Sequence, residues 1–390
     1  MKRRAFVVDD SQVCREQLRE WLEADGDLEV IGEASDGESA IDQITRLRPD
    51  IATIDLRLPG MSGLEVVTLL MAKSPLPLLV LTGDPTGDDP ALAFEAIRRG
   101  ALHLLLKPSF HDEDAIRALR TQVRWLATVP VVRHIDGRRA AEPAARHAEV
   151  HRPATEPAVR PAESHRPATE PAVRPAPDLL RPPEPIRAVP RLVRPSSDPP
   201  TIVGIAASAG GPSALATVLG SLAADLPVCL AIVQHLPRGF APSFVSFLQA
   251  RCSLAVRLAE HGMVPPASTV VLAPDDHHLE LIDGRFALTS GPPVDGHRPS
   301  GTVLLRSLAA LGSAAIGVVL SGIGRDGSDG LRAMRERGAV TFAQDASTSV
   351  VYVMPRAAVE DGAVQQVLPV GTLGYAITSA VACSRRWRRP

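Results

Sequence analysis

Residues 5–11, Ala5-Phe6-Val7-Val8-Asp9-Asp10-Ser11, run four apolar residues into two aspartates and a serine. The apolar run reads as a buried strand. The stripe Val13, Leu18, Trp21 and Leu22 that follows reads as a helix stopped at Asp25-Gly26. The unit then recurs: Leu28–Ala34, Ile51–Ile54, Leu78–Leu81 and Leu102–Leu106 are further short apolar runs. Amphipathic segments near 38–47, 64–72, 90–99 and 112–126 lie between and after them. Five β–α units of this length predict an α/β, flavodoxin-like (βα)5 sheet over residues 1–128.

In such a sheet the C-terminal ends of neighbouring strands converge on one crevice. Asp9 and Asp10 end the first strand, Asp55 the third, Thr82 the fourth and Lys107 the fifth. Three carboxylates in one crevice repel each other unless a hard cation neutralises them, and oxygen ligands of this kind suit Mg²⁺. The metal then bridges Asp55 and an incoming phosphoryl group, while Lys107 and the Thr82 hydroxyl cradle the remaining oxygens. Singly, each residue has a duller reading: Asp9-Asp10 as a helix cap with Ser11, Lys107-Pro108 as a plain strand exit. Their joint placement at strand ends favours the phosphoryl site.

Residues 129–200 differ in kind. Sixteen of the 36 prolines fall between Pro130 and Pro200, and His151–Ala162 recurs letter for letter as His165–Ala176. Mixed charge, few large apolar residues and frequent proline cannot bury enough surface to offset chain entropy. The repeat is too short for the common solenoids and occurs only twice. A disordered, Pro-rich linker is expected.

Residues 201–382 return to β–α alternation. Strands are predicted at Ile202–Ala206, Val228–Val233, Val270–Leu272, Ala315–Leu320, Val340–Phe342 and Val364–Leu368. His278–Thr289 alternates around Asp283-Gly284, a hairpin signal. The expectation is a second doubly wound, mostly parallel α/β domain with an antiparallel hairpin, followed by a basic tail at 383–390.

The run Ile202-Val203-Gly204-Ile205-Ala206-Ala207-Ser208-Ala209-Gly210-Gly211-Pro212 sets a serine where a strand hands over to a helix. Small residues let a substrate approach the backbone, and Pro212 suits a first helical turn. There is no Gly-x-Gly-x-x-Gly and no Walker lysine, so a nucleotide site fits worse. A merely structural tight turn is the other reading. Serine needs a base, and the base an orienting acid. His235 follows the next strand, and Asp326 follows Ala315–Leu320 through Ser321-Gly322-Ile323-Gly324-Arg325. The order Ser–His–Asp differs from that of the α/β-hydrolases. No cofactor is expected for this step.

Three other clusters compete. Asp275-Asp276-His277-His278 has metal-ligand chemistry, but adjacent strand residues point to opposite faces, which favours a loop or strand edge. His297, in Gly296-His297-Arg298-Pro299-Ser300, either lines a substrate site or caps the next helix. Asp326-Gly327-Ser328-Asp329-Gly330 lacks the closing glutamate of a calcium loop. A net charge of −2 gives no bulk reason to bind nucleic acid or membrane, and no helix-turn-helix pattern stands out. Four cysteines without Cys-x-x-Cys spacing read as thiols of a cytoplasmic protein, buried at Cys14 and Cys229. No run approaches a signal peptide or membrane span.

Val7-Val8-Asp9-Asp10-Ser11, Ile54-Asp55-Leu56 with Leu58-Pro59-Gly60-Met61-Ser62-Gly63, and Leu106-Lys107-Pro108 resemble a response-regulator receiver domain. The resemblance implies that Asp55 is the phosphoacceptor, served by a chemotaxis-type histidine kinase. It also implies that Asp10, Asp55 and the Arg57 carbonyl hold the metal, with Asp9 nearby. Receivers usually carry an aromatic where Leu104 stands. Ala207-Ser208-Ala209-Gly210-Gly211-Pro212, Gln234-His235-Leu236-Pro237, Gly296–Ser300, Leu320–Gly327 and Ala343-Gln344-Asp345 resemble the chemotaxis protein-glutamate methylesterase/deamidase family (CheB). That resemblance implies Ser208 as nucleophile, His235 as general base and acid, and Asp326 as orienting acid. The implied substrates are methyl-accepting chemoreceptors, as glutamyl methyl esters and as glutamines. Ala209 and Ile323 stand where threonine and methionine are usual. The competing expectation is a phosphorylation-gated binding protein with a silent hydrolase domain.

Overall fold

Short polar side chains make the handovers from loop to helix in the first half of the chain. Ser11 accepts from the Cys14 amide, Asp36 from Ser39 and Asp112 from Ala115, while Ser62 and Glu65 form a capping box. These caps start α1 (Gln12–Glu23), α2 (Gly37–Leu47), α5 (Glu113–Leu126) and α3 (Gly63–Lys73), with α4 at Asp89–Arg98. The computed structural model describes residues 2–83, 89–129 and 202–385. The linker at 129–200 and the tail beyond residue 385 therefore lie essentially outside the described residues.

The strands β1 (Arg3–Val8), β2 (Leu28–Ala34), β3 (Ile51–Asp55), β4 (Leu78–Thr82) and β5 (His103–Leu106) form one parallel sheet in the order β2-β1-β3-β4-β5. Each follows its predicted run to within two residues. The α1 stripe needs one correction: Leu18 and Leu22 are buried, but Val13 is 59% exposed. Five residues of helix rotate Val13 about 140° away from Leu18. Cys14, in the first turn, is only half-buried, against expectation, whereas Cys229 is buried.

The second half builds a seven-stranded sheet from β6 (Ile202–Ala207), β7 (Cys229–Gln234), β8 (Ala255–Leu258), β9 (Thr269–Leu272), β12 (Ala315–Val319), β13 (Val340–Gln344) and β14 (Gln366–Leu368). All its pairings are parallel, in the order β14-β13-β12-β6-β7-β9-β8. β8 has no predicted counterpart. It is an edge strand of alternating exposed and half-buried residues, so it carries no apolar run. The predicted hairpin is β10 (His278–Ile282) and β11 (Arg285–Thr289), which form their own two-stranded sheet. Its turn takes Asp283 and Gly284 at φ 49° and 73°. The helices are α6 (Gly211–Gly220), α7 (Ala241–Gln249), α8 (Gly301–Leu308), α9 (Ser328–Glu336), α10 (Val353–Glu360) and α11 (Val370–Arg385). No helix among the described residues is long and apolar enough to cross a membrane.

The two sheets belong to one compact body. Phe94 of α4, 2% exposed, sets its ring 5.1, 5.2 and 6.1 Å from those of Phe244, Phe247 and Phe240, on and just before α7. A chain this poor in aromatics has concentrated four of its eight phenylalanines in that seam. Beside it, the Leu102 carbonyl accepts a hydrogen bond from the Gly210 amide at 3.2 Å.

Candidate active site and phosphoryl site

The order of the first sheet reverses between β1 and β3, and the predicted acids meet at that switch point. Carboxylate oxygens of Asp9, Asp10 and Asp55 lie within 4.8 Å of one another. Lys107 Nζ stands 2.6 Å from Asp55 Oδ2 and 2.7 Å from Asp9 Oδ2. The Arg57 amide donates to Asp55 Oδ1 at 3.2 Å, and Thr82, fully buried, ends the neighbouring strand. Burial pushes the Asp55 carboxyl up, against the pull of Lys107 and the Arg57 amide. Burial would lower Lys107, but its bonds to Asp55 and Asp9 outweigh it and raise its pKa. The structure thus brings together all five residues predicted for this site. One ammonium faces three carboxylates, a donor set with charge left over for a divalent cation.

The second site lies at the other switch point, where β6 has β12 on one side and β7 on the other. Register does the positioning. Ala207 pairs with Gln234, so the next residues, Ser208 and His235, leave adjacent strand ends together. The His235 amide then bonds the Ala207 carbonyl at 3.0 Å. Asp326 arrives from beyond β12, and His235 Nε2 lies 2.8 Å from Asp326 Oδ2. An ionised carboxylate only accepts, which assigns the ring proton to Nε2. Nδ1 is buried and has no hydrogen-bond partner among the described residues, so its lone pair is available.

Asp326 is 1% exposed and saturated with donors. Ser300 Oγ and the Thr302 amide bond Oδ1 at 2.6 and 2.8 Å, and the Gly301 amide bonds Oδ2 at 2.6 Å. These are the first groups of α8, whose N-terminus favours an anion. Burial alone would raise this carboxyl, but the bond to His235 and the Ser300 and Thr302 donors hold it well below the usual carboxylate range. Gly301 is required here: a Cβ would fall 2.4 Å from the Ala206 methyl.

Ser208, 2% exposed, is held through its backbone. Its amide donates to the Ser321 carbonyl at 3.0 Å, and its carbonyl accepts from Gln234 Nε2 at 2.9 Å. Gly210 takes φ 75°, packed against Val350 and the Ser321 hydroxyl, which turns the chain sharply into α6. Among the described residues the amides of Ala209 and Ile323 donate to nothing. Both side chains are buried in an apolar cluster with Leu102. Next to Leu102, His103 is 6% exposed. Burial first, and then the nearness of His235, depress it to about 4.

Sequence reasoning missed Gln234, Gly301 and Thr302 as supports, because neutral polar and backbone groups carry no chemical signature of their own. Ser300 was visible only as part of a polar turn. The cluster Asp275–His278 is dispersed, as its spacing implied. Asp275 caps the Gly239 amide, Asp276 pairs with Arg238, His277 bonds the Asp275 carbonyl, and His278 bridges Pro292 and Ser300.

Comparison with known proteins agrees with this two-site architecture. Residues 5–120 match the response regulator receiver domain, and residues 203–377 match the CheB methylesterase family. A protein-glutamate methylesterase/protein-glutamine glutaminase 2 of Anaeromyxobacter dehalogenans is 38% identical over 380 residues, 96% of each chain. A protein-glutamate methylesterase/protein-glutamine glutaminase of Nitrosospira multiformis is 35% identical, covering 97% of this chain and 96% of its own. The crystal structure of the Thermotoga maritima CheB methylesterase catalytic domain is 32% identical across 46% of this chain and 98% of that one, with a TM-score of 0.45. The chain belongs to the CheB family of receiver-linked methylesterases.

Proposed function

We propose that the chain is a phosphorylation-activated protein-glutamate methylesterase acting on methylated chemoreceptors in the cytoplasm. Residues 1–128 serve as its receiver and 201–382 as its catalytic domain. The observation that carries the reading is the 2.8 Å contact of His235 with a carboxylate that accepts three further hydrogen bonds, with Nδ1 unpartnered among the described residues and Ser208 leaving the adjacent strand end.

In the reaction Ser208 Oγ attacks the glutamyl ester carbonyl as His235 Nδ1 takes its proton. The imidazolium so formed is held by Asp326. The free amides of Ala209 and Ile323 are the donors available to the oxyanion, so the departures from threonine and methionine leave that chemistry to the backbone. His235 then protonates the departing methoxide, and methanol leaves an acyl-enzyme on Ser208. Water deprotonated by His235 attacks that ester, and Ser208 recovers its proton as glutamate is released. Deamidation of glutamine follows the same steps with ammonia as leaving group.

Asp55 is the phosphoacceptor, fed by a chemotaxis-type histidine kinase. Asp9, Asp10 and Asp55 would hold Mg²⁺, which supplies charge neutralisation during transfer. Lys107 and Thr82 stand where the phosphoryl oxygens fall. Gating is supported by the Leu102 carbonyl on the Gly210 amide, two residues beyond Ser208. β4 and β5 link the sites: Thr82 pairs with Leu106 at one end, Leu79 with His103 at the other. The two pairs are three steps apart along the strand, about 10 Å.

The test is methanol release from methylated receptor with and without a small phosphodonor plus Mg²⁺. Ser208→Ala should abolish turnover, a loss of up to about 10⁶-fold, with Asp55 still phosphorylated. More than about a tenth of wild-type turnover in that variant would exclude Ser208 as nucleophile.

A further inference from the structure

The sequence leaves His297 two roles, lining a substrate site or capping the next helix, and the structure sets it against the candidate base. Its ring lies flat on the ring of His235, centroids 3.6 Å apart and planes inclined by 14°. We propose that His297 is a positioning residue of the esterase reaction, fixing the plane in which His235 presents Nδ1 to Ser208. The inference rests on the assignment of His235 as the base.

A second constraint is needed because the first is incomplete. Asp326 holds His235 at Nε2 alone. The χ2 torsion of histidine is broad, and one hydrogen bond tolerates considerable tilt. A tilt swings Nδ1 out of line with the serine while the Asp326 bond survives. A flat neighbour in van der Waals contact blocks that motion from one face.

His297 is built to be rigid. Its amide and carbonyl both bond Val294, each at 3.0 Å, across a turn with Asp295 and Gly296 at φ 52° and 80°. The next residue, Arg298, donates to the Gly291 carbonyl at 3.0 Å, and Ser300 donates to Asp326. One five-residue segment, Gly296–Ser300, therefore holds both the face of the base and its acid. Burial first, then His235, push His297 down to about 3, with His103 acting in the same sense and Asp326 against it. The ring stays neutral and does not repel the imidazolium formed on His235. Its own nitrogens make no hydrogen bond within the described residues, so a contact with substrate is the rival role.

The two roles separate by chemistry. His297→Phe keeps a flat ring and loses both nitrogens; His297→Gln keeps hydrogen-bonding capacity and loses the ring; His297→Ala loses both. In the full-length chain, with phosphodonor and Mg²⁺ present, two rates are measured: methanol release from methylated receptor and labelling of Ser208 by a fluorophosphonate. Positioning predicts that Ala and Gln lose about 10- to 100-fold in kcat and in labelling, with KM within about twofold, while Phe stays within about threefold of wild type. If Phe falls as far as Gln, or if the losses lie in KM with labelling unchanged, His297 contacts substrate and the inference is overturned. Wild type and Ser208→Ala run alongside. Absence of methanol release from wild type overturns the esterase reading itself, independently of the His297 series.

Discussion

Replacing Phe94 by alanine should release the catalytic cleft without touching it. The ring is 2% exposed and meets three phenylalanine rings of the catalytic domain at 5.1–6.1 Å. Each aromatic pair contributes about 0.5–1.5 kcal/mol beyond its buried area, so three contribute roughly 1.5–4.5 kcal/mol. Taking ~2 kcal/mol as the loss in docking, the ratio of closed to open enzyme falls about 30-fold, since 1.4 kcal/mol is a factor of ten. Unphosphorylated methanol release should rise by up to that factor, capped by the rate of the phosphorylated enzyme. The phosphorylated rate itself should barely change. Acid-quenched labelling with a radioactive phosphodonor confirms that Asp55 still accepts phosphate and the receiver is folded. Phe244→Ala should act alike, and the double variant should fall short of the sum because both remove one contact. An unphosphorylated rate within about twofold of wild type, with Asp55 phosphorylation intact, would falsify the idea that this seam holds the cleft shut.

Other outcomes follow from the same geometry. Asp55→Asn should keep basal turnover and lose the response to phosphodonor; an unaltered response would route activation through another residue. Asp326→Asn should lose about 10⁴-fold in kcat and destabilise the domain by roughly 3–5 kcal/mol. Both Asp326 oxygens accept backbone amides, so the new NH₂ meets an N–H in either orientation; denaturant melts measure the second effect. His103 is neutral in the fold, with a pKa near 4 against 6.5 when unfolded, so the unfolded chain binds the extra proton and stability falls as pH drops between those values. The slope is about 1.4 kcal/mol per pH unit, and His103→Gln should remove that share of the pH dependence of melting. An unchanged slope would mean that His103 is solvated.

Most of the fold was legible because parallel strands buried on both faces are continuous apolar runs, and such runs need no tertiary information to be seen. The exceptions are instructive. β8, half-exposed at a sheet edge, has a pattern that chain context alone turns into a strand. Val13 has the composition of a core residue but the wrong helical phase.

The chemistry divides the same way. Asp9, Asp10, Asp55 and Lys107, and likewise Ser208, His235 and Asp326, stand at predicted strand ends, and the convergence of strand ends in a doubly wound sheet makes their meeting readable from order alone. What the chain order could not decide is which neutral groups surround them. Ser300, Gly301 and Thr302 meet Asp326 because α8 points its N-terminus there, and His297 meets the face of His235 because a tight turn puts it there. Nor could it decide that Leu102 and His103, in a different domain, lie against the cleft. Local pattern specifies strands, helices and the groups at their ends. Contacts between side chains remote in sequence depend on how layers pack, and that is settled only when the whole chain has folded.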